Sequence, residues 1–443
     1  MPLKYIFHLS DLHIRNGDAS YCRYNEYNAV FKNTIISIAD TINNRKLKFD
    51  DFVIIITGDI FHNKNNIGNH GLLLYKTFVQ ELTKLGRLII FSGNHDKMQS
   101  NQDQPTLVYS SSFDIHNLTI LNHTHSFVID DIGFSYVDIN DTLDTFKNSG
   151  RIQDLPPFPL FDESTNIKCK IALFHGSFAA VKLYNGENVR DDTNPYPLEW
   201  IKDFDFVLLG DIHKRQVFNY KKHSICGYSG SLIQQNFGED IIEHGYLLWD
   251  LQDLENKMPE EFNVYNNIGY INVIEDANQN IFIRTNGKYT ETLKEYIKNN
   301  IRYFPKIIEI KSFSYINFEN LNNLLKSFNI SFQIVSKLSI LNNKDIINDA
   351  LAKKDVRIDN MIDSNYLLDY FKKLLTPDKY KILNKILKNK EYLLFDINKY
   401  PEELSVECTK RNKELYPIIN SCNNIDDVVH NKKSFLIKYL EWE

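Results

Sequence analysis

Short apolar runs recur through the first half of the chain, and each one stops at a cluster of aspartate, asparagine or histidine. Tyr5 to Leu9 runs into Ser10-Asp11-Leu12-His13, Phe52 to Ile56 into Thr57-Gly58-Asp59, and Leu88 to Phe91 into Ser92-Gly93-Asn94-His95-Asp96. Ile171 to Phe174 stops at His175-Gly176, and Phe206 to Leu209 stops at Gly210-Asp211-Ile212-His213. Apolar runs of this length that end in turn residues read as buried strands. Between them, Tyr27 to Ile42 and Leu72 to Leu85 carry apolar residues at three- and four-residue intervals and read as helices. That rhythm is α/β. Ligands of such sheets bind beyond the carboxyl ends of the strands, so all of these clusters can converge on one site.

A chain of 443 residues is too long for one ordinary core, and its pattern changes twice. The first domain is placed at 1–255. Within it, Leu118 to Val137 reads as short strands with a turn at Asp130-Asp131-Ile132-Gly133. Asp141 to Thr165, with Pro156, Pro157 and Pro159, reads as an irregular loop. Tyr228-Ser229-Gly230-Ser231 and Tyr246 to Trp249 read as its last strands. A smaller α/β domain is placed at 265–340, in the order βαβαβ: Ile281 to Arg284, a helix capped by Thr290 and running to Asn300, Lys306 to Ile310, a helix at Phe318 to Ser327, and Ser331 to Val335. The region 341–443 reads as helical, with a helix start at Thr376-Pro377-Asp378 and a strand-like segment at Phe435 to Trp442.

Lys+Arg 51 against Asp+Glu 57 leaves a net charge of −6, which does not by itself point to nucleic acid. A DNA substrate would have to be held by local basic patches or by metal. Lys214-Arg215, Lys221-Lys222, Arg190 and the face of Lys381, Lys385 and Lys388 read more simply as solvated surface. Cys22, Cys169, Cys226, Cys408 and Cys422 are scattered without a C-x-x-C spacing, which favours reduced thiols and an intracellular location. No stretch is long and apolar enough to span a bilayer, so no membrane partner is expected.

Asp11, His13, Asp59, Asn94, His175, Asp211 and His213 offer the oxygen and neutral-nitrogen donors that borderline or hard divalent metals prefer. The set contains no thiolate, which disfavours a structural zinc site. It is larger than one ion needs. Two divalent ions sharing a bridging carboxylate is the economical reading, and phosphoester hydrolysis is the reaction class it suits.

The ordered set Asp11-x-His13, Gly58-Asp59, Gly93-Asn94-His95-Asp96, His175-Gly176 and Gly210-Asp211-x-His213 resembles the motifs of the calcineurin-like metallophosphoesterases. Within that superfamily the chain looks most like the nuclease subunit of the double-strand-break repair complex, the SbcD-like family. Gly58-Asp59-Ile60-Phe61-His62, Tyr228-x-Gly230-Ser231 and the order of the later domains carry that narrower resemblance. It implies a β-sandwich flanked by helices, a DNA-capping-like α/β domain and a helical C-terminal region with an ATPase-binding segment. It also implies manganese, with magnesium as the alternative. Asp11, His13, Asp59 and His213 would hold the first ion and Asn94, His175 and Asp211 the second, with Asp59 bridging. His95 would act at the leaving oxygen, Asp96 would orient His95, and His62 would position DNA. The expected partners are DNA, an SbcC-type coiled-coil ATPase and a second copy of the chain.

The family usually has Gly-His-x-His where this chain has Gly210-Asp211-Ile212-His213. A harder, negatively charged donor there favours manganese or magnesium. Other readings are a phosphoprotein or nucleotide phosphatase of the same superfamily, and a DNA-binding scaffold with little turnover.

Overall fold

The computed structural model describes residues 3–335 apart from 16–22, 65–66, 98–105, 113, 163–165, 180, 190–194, 222–223, 253–257, 277 and 313–315. The expected helical region at 341–443, with its ATPase-binding segment and lysine face, lies outside the described residues, as do Arg190 and Lys222. Residues Met1–Ile340 form one compact unit.

The chain begins with β1 (Tyr5–Leu9), α1 (Tyr24–Arg45), β2 (Phe52–Thr57), α2 (Asn69–Leu85), β3 (Arg87–Phe91), α3 (Leu107–Ser110) and β4 (Leu118–Leu121). It continues through β5 (His125–Ile129), β6 (Ile132–Tyr136), α4 (Ile139–Ser149), β7 (Cys169–His175), β8 (Phe206–Gly210), β9 (Gln216–Tyr220) and β10 (Ser224–Tyr228). β11 (Gly245–Asp250) and β12 (Glu260–Asn263) precede the smaller unit. That unit holds β13 (Ile268–Glu275), β14 (Ile281–Thr285), β15 (Lys288–Thr292), α5 (Leu293–Asn299), β16 (Ile307–Ser312), α6 (Phe318–Lys326) and β17 (Ser331–Ile334).

Two six-stranded sheets face each other, ordered β12-β11-β1-β2-β3-β4 and β5-β6-β7-β8-β10-β9. β1 through β4 are parallel, and so are β6, β7, β8 and β10. Alternation along each strand divides the side chains between two layers. In β2, Val53 and Ile55 enter the layer between the sheets, where they meet Phe134, Ile171, Leu173 and Phe206. Phe52, Ile54 and Ile56 point the other way, into a layer shared with α1 and α2. That is why the strand is apolar from Phe52 to Ile56. α1 buries Tyr27, Val30, Phe31, Thr34, Ile38 and Thr41, a stripe at helical spacing, and Phe31 stacks on Phe78 of α2 with ring centroids 4.1 Å apart. On the far side of the second sheet, Phe174, Val207 and Leu209 pack against Phe146, Phe178 and Tyr196. The architecture is the expected helix-flanked β-sandwich.

The stretch Asp141 to Thr165 is not a loop throughout, because α4 occupies its first part. Asp138 caps that helix by accepting from Asn140 N, and Ile139, Thr142 and Phe146 supply its buried side. The proline signal applies only to the segment after it. In the smaller unit, the strand order β15-β14-β13-β16-β17 contains an additional hairpin, so the simple βαβαβ order is incomplete. Thr290 lies inside β15, and the residue that caps α5 is Thr292, whose hydroxyl accepts from Glu295 N. Both threonines are good caps by type; the ladder partner Phe282 holds the chain extended as far as Thr292. Arg215 is also not a solvated charge. It is buried and donates to Phe262 O, with its guanidinium against Asn263 and Glu261 of β12. Cys169 and Cys226 are buried, and no described helix is long and apolar enough to cross a membrane.

His8 sits on the inter-sheet face of β1, fully buried beside Trp249, with Nε2 at 3.0 Å from Thr57 Oγ1. Burial drives its pKa from 6.5 down to about 3, against the pull of Asp11 and the Leu209 backbone. Below pH 6.5 the unfolded chain therefore gains a proton that the folded chain refuses, so stability declines as pH falls toward 3. The expected slope from this residue is about 1.4 kcal/mol per pH unit. Denaturant unfolding between pH 7 and 5 checks it, and His8→Gln is expected to flatten the curve.

Candidate metal centre

The parallel strands of both sheets end at one edge, β1, β2 and β3 from one side and β7 and β8 from the other. The turns that leave them are tight. Asp11 (φ 52), His13 (φ 45), Asp59 (φ 51) and Asp211 (φ 93) are all left-handed, a conformation that costs non-glycine residues on the order of 1–3 kcal/mol each. Strain concentrated on four of the predicted ligands marks the site independently of their chemistry. Close approach demands glycine nearby: a Cβ on Gly93 would lie 2.1 Å from Asp59 Oδ1, and one on Gly210 would lie 2.1 Å from Thr57 O.

Three overlapping groups result, one of them formed by His13, His62 and His95. Asp11, His13 and His213 bring ligand atoms within 4.8 Å of one another, and so do Asp11, Asp59 and His175. Asp59 lies between the two sheets' histidines, with Oδ2 at 3.4 Å from His13 Nε2 and Oδ1 at 3.2 Å from His175 Nε2. His13 Nε2 and His213 Nε2 are 2.8 Å apart. Asn94 Oδ1 is 3.3 Å and Asp211 Oδ1 3.9 Å from His175 Nε2. The structure thus brings all seven expected ligand residues to one place. Their donors are carboxylates, imidazoles and an amide, a set that fits divalent ions such as manganese or magnesium.

Electrostatics favour a cation there. Asp11 and Asp59 are 0% and 2% exposed, yet both are held ionised. Burial alone would raise Asp59, but His175, by charge and hydrogen bond, and His13 hold it below the ordinary carboxylate range. Asp11 is held low against burial by His13, His175 and His213. In return, burial pushes His213 down while Glu239 and Asp11 pull it up to about 9, and Asp59 and Asp11 raise His175 well above its usual value. Divalent ions would take over the role of these imidazolium charges.

Two of the three ligand imidazoles, His175 and His213, are aimed by a partner on their other nitrogen, whereas His13 Nδ1 is buried without one. His175 Nδ1 donates to Thr57 O at 2.7 Å, and His213 Nδ1 to the Glu239 carboxylate at 2.7 Å. Ser177 Oγ donates to Asp211, whose own N–H donates to the Asp11 carboxylate at 3.2 Å. Glu239 and Ser177 belong to no motif, and only three-dimensional contact gives them away. Tyr228-x-Gly230-Ser231 also gains a reason. Tyr228 OH donates to Gly176 O at 2.8 Å, and Ser231 N donates to His213 O at 3.0 Å, so the motif clamps the two ligand loops of the second sheet.

Two histidines outside the ligand set form a stacked pair beside it, His62 on His95, with centroids 5.4 Å apart. His95 Nδ1 donates to His62 O at 2.9 Å and His95 N to Asp59 Oδ1 at 2.9 Å, which fixes the ring beside His13 and leaves Nε2 free. Burial, then Arg15, lowers His62 to about 4, so it is neutral near pH 7. Asp96 is not the group that orients His95. Its carboxylate accepts from Phe61 N at 2.8 Å, Gly93 N at 2.9 Å and Ile60 N at 3.0 Å, which ties the β2 and β3 loops together. Next to it, Lys97 forms a buried ion pair with Asp138, the cap of α4.

Residues 4–215 match the family model of the calcineurin-like phosphoesterases. That match spans 212 of the chain's 443 residues, so it is a likeness over this segment. The segment that resembles the phosphoesterases is the one that holds the residues in place for divalent metal. The uncharacterized protein R555 of Acanthamoeba polyphaga mimivirus is 30% identical over 274 residues, which is 61% of this chain but 19% of that protein. Among solved structures, Pseudomonas putida nuclease MPE aligns over 58% of this chain and 87% of its own, at 10% identity and a TM-score of 0.25. A single mutant of Vps29 from Entamoeba histolytica aligns over 58% of this chain and 98% of its own, at 14% identity and a TM-score of 0.25.

Asp96→Asn turns an amide NH2 toward backbone N–H donors that now share a carboxylate. The expected loss is on the order of 2 to 4 kcal/mol of unfolding free energy, since buried donors are left unpaired. Chemical denaturation measures it.

Proposed function

We propose that this chain hydrolyses phosphodiester bonds in DNA with two divalent ions, manganese first among them and magnesium second. The reading is a 3′ to 5′ exonuclease on duplex ends and an endonuclease on single strands or hairpins. It includes homodimerisation and work with an SbcC-type ATPase. The two-ion part is supported above all by Asp59, one oxygen of which faces His13 and the other His175. The DNA part is supported by the Gly58-Asp59-Ile60-Phe61-His62 motif, by the histidine pair it helps to form, and by the smaller α/β unit that follows.

Asp11, His13, Asp59 and His213 would hold one ion, and Asp59, Asn94, His175 and Asp211 the other. When bound, the ions supply an activated water and stabilise the oxygens of an in-line displacement. His95, with Nδ1–H committed to the His62 carbonyl, would present Nε2 to the departing oxygen and in its protonated form deliver a proton there. His62, stacked on His95 and uncharged near pH 7, would bear on the sugar-phosphate chain of the substrate. Asp211 adds a carboxylate where the resembled family has imidazole, and Ser177 keeps it turned toward His175.

The deciding assay uses end-labelled duplex and hairpin DNA with manganese, then magnesium. Metal uptake with hydrolysis of phosphoprotein or nucleotide monoesters and none of DNA would move the reading to another branch of the superfamily. Two variants test the roles. His95→Ala is expected to retain manganese and lose cleavage by roughly 10²- to 10⁴-fold, the range of a general acid; loss of manganese would make His95 a ligand instead. His62→Ala is expected to impair duplex exonuclease more than single-strand cutting, and equal losses would remove its positioning role.

A further inference from the structure

His213 is aimed by Glu239, and Glu239 stands on a loop held from both sides. At one end of the loop, Leu232 and Ile233 are fixed in the layer under α1 and α2. At the other end, Ile241 is part of the core of the smaller unit, with Ile271, Val273, Ile308 and Leu321. Between them the loop is gripped by β13 and β16. The Gln234 amide pairs with the Tyr270 backbone in both directions, Nε2 to Tyr270 O at 2.7 Å and Tyr270 N to Oε1 at 2.8 Å. Asn272 Nδ2 donates to Phe237 O at 2.6 Å, and the Lys311 ammonium lies 3.9 Å from the centre of the Phe237 ring. From α5, Tyr296 OH donates to the Asp240 carboxylate at 3.0 Å.

On its inner side the same loop builds a socket for one carboxylate. Glu239 is buried and accepts from Gln235 N at 2.7 Å, Asn236 Nδ2 at 2.9 Å and Ser231 Oγ at 3.3 Å, in addition to His213. With its oxygens so fully engaged, Glu239 cannot follow His213 if the loop shifts. The imidazole would have to turn or give up the bond.

We infer that Glu239 is a positioning residue for His213, and that the loop Gln234 to Asp240 makes its placement depend on the smaller α/β unit. A displacement of that unit changes how firmly the ion at His213 is held and leaves the ion at His175 unaffected. The consequence for the centre rests on the metal-ion reading above; the mechanical link does not.

The test keeps the full chain and separates the two. Histidine-selective nitrogen spectra of the metal-free protein follow the His213 ring, and manganese titration follows the ions. Glu239→Ala is expected to weaken one ion about 10- to 100-fold, the usual effect of losing a partner of a metal-bound histidine. Phe237→Ala and, as a milder variant, Asn272→Ala are expected to move the His213 resonances and weaken the same ion. Combined with His213→Ala, neither should cause a further loss, since the two changes act through one side chain. The link is overturned if the His213 resonances stay put in folded Phe237→Ala and Asn272→Ala proteins, or if the losses simply add to that of His213→Ala. Resonances that move in a protein that takes up no manganese would uphold the link and overturn the metal reading instead.

Discussion

Asp11 and Asp59 are carboxylates with almost no access to water, set close enough to share their histidine partners. Burying one anion is expensive, and burying two side by side is tolerable only if positive charge is delivered to both. The surrounding architecture meets this requirement. Parallel strands from two sheets end at a common edge, and each brings a nitrogen or oxygen donor that could not be supplied from one sheet alone. The left-handed turns at Asp11, His13, Asp59 and Asp211 are the backbone cost of packing so many donors into one small volume.

Much of this was legible in the residues. Strands buried on both faces have to be apolar throughout, so β1, β2, β3, β7 and β8 stand out from their neighbours, and the polar residues that interrupt them stand out in turn. The residues that aim the ligands do not stand out. Thr57 acts on His175 through its main-chain carbonyl, which every residue possesses, and Glu239 reaches His213 from a loop with no motif. The contacts of Asp96 are hidden for a related reason. Its position next to His95 suggested a side-chain relay, whereas its oxygens turn back to the main chain of the preceding loop. Secondary structure failed where one signal was extended too far, as with the prolines beyond α4, or where two equivalent caps competed, as at Thr290 and Thr292.

The smaller unit and the sandwich are joined by polar contacts as well as apolar ones. Arg23 bridges Glu26 at the start of α1 and the Gln234 carbonyl, and its guanidinium lies over the rings of Tyr27 and Tyr270. Directional contacts of this kind resist sliding better than an oily interface of equal area, because a small shift breaks hydrogen bonds before it exposes much surface.

The Lys97–Asp138 pair has a consequence for how the sequence can drift. Lys97 follows the β3 loop of one sheet, and Asp138 caps the helix that leaves β6 of the other, while also accepting from Tyr136 OH. Replacing either partner alone leaves its mate as an uncompensated charge in a dry place, whereas an apolar residue for Lys97 together with asparagine or serine for Asp138, which can still cap α4 and accept from Tyr136 OH, removes both charges at less cost. The two positions are therefore linked in inheritance: lineages should carry both charges or neither. Single intermediates would be the rarest state.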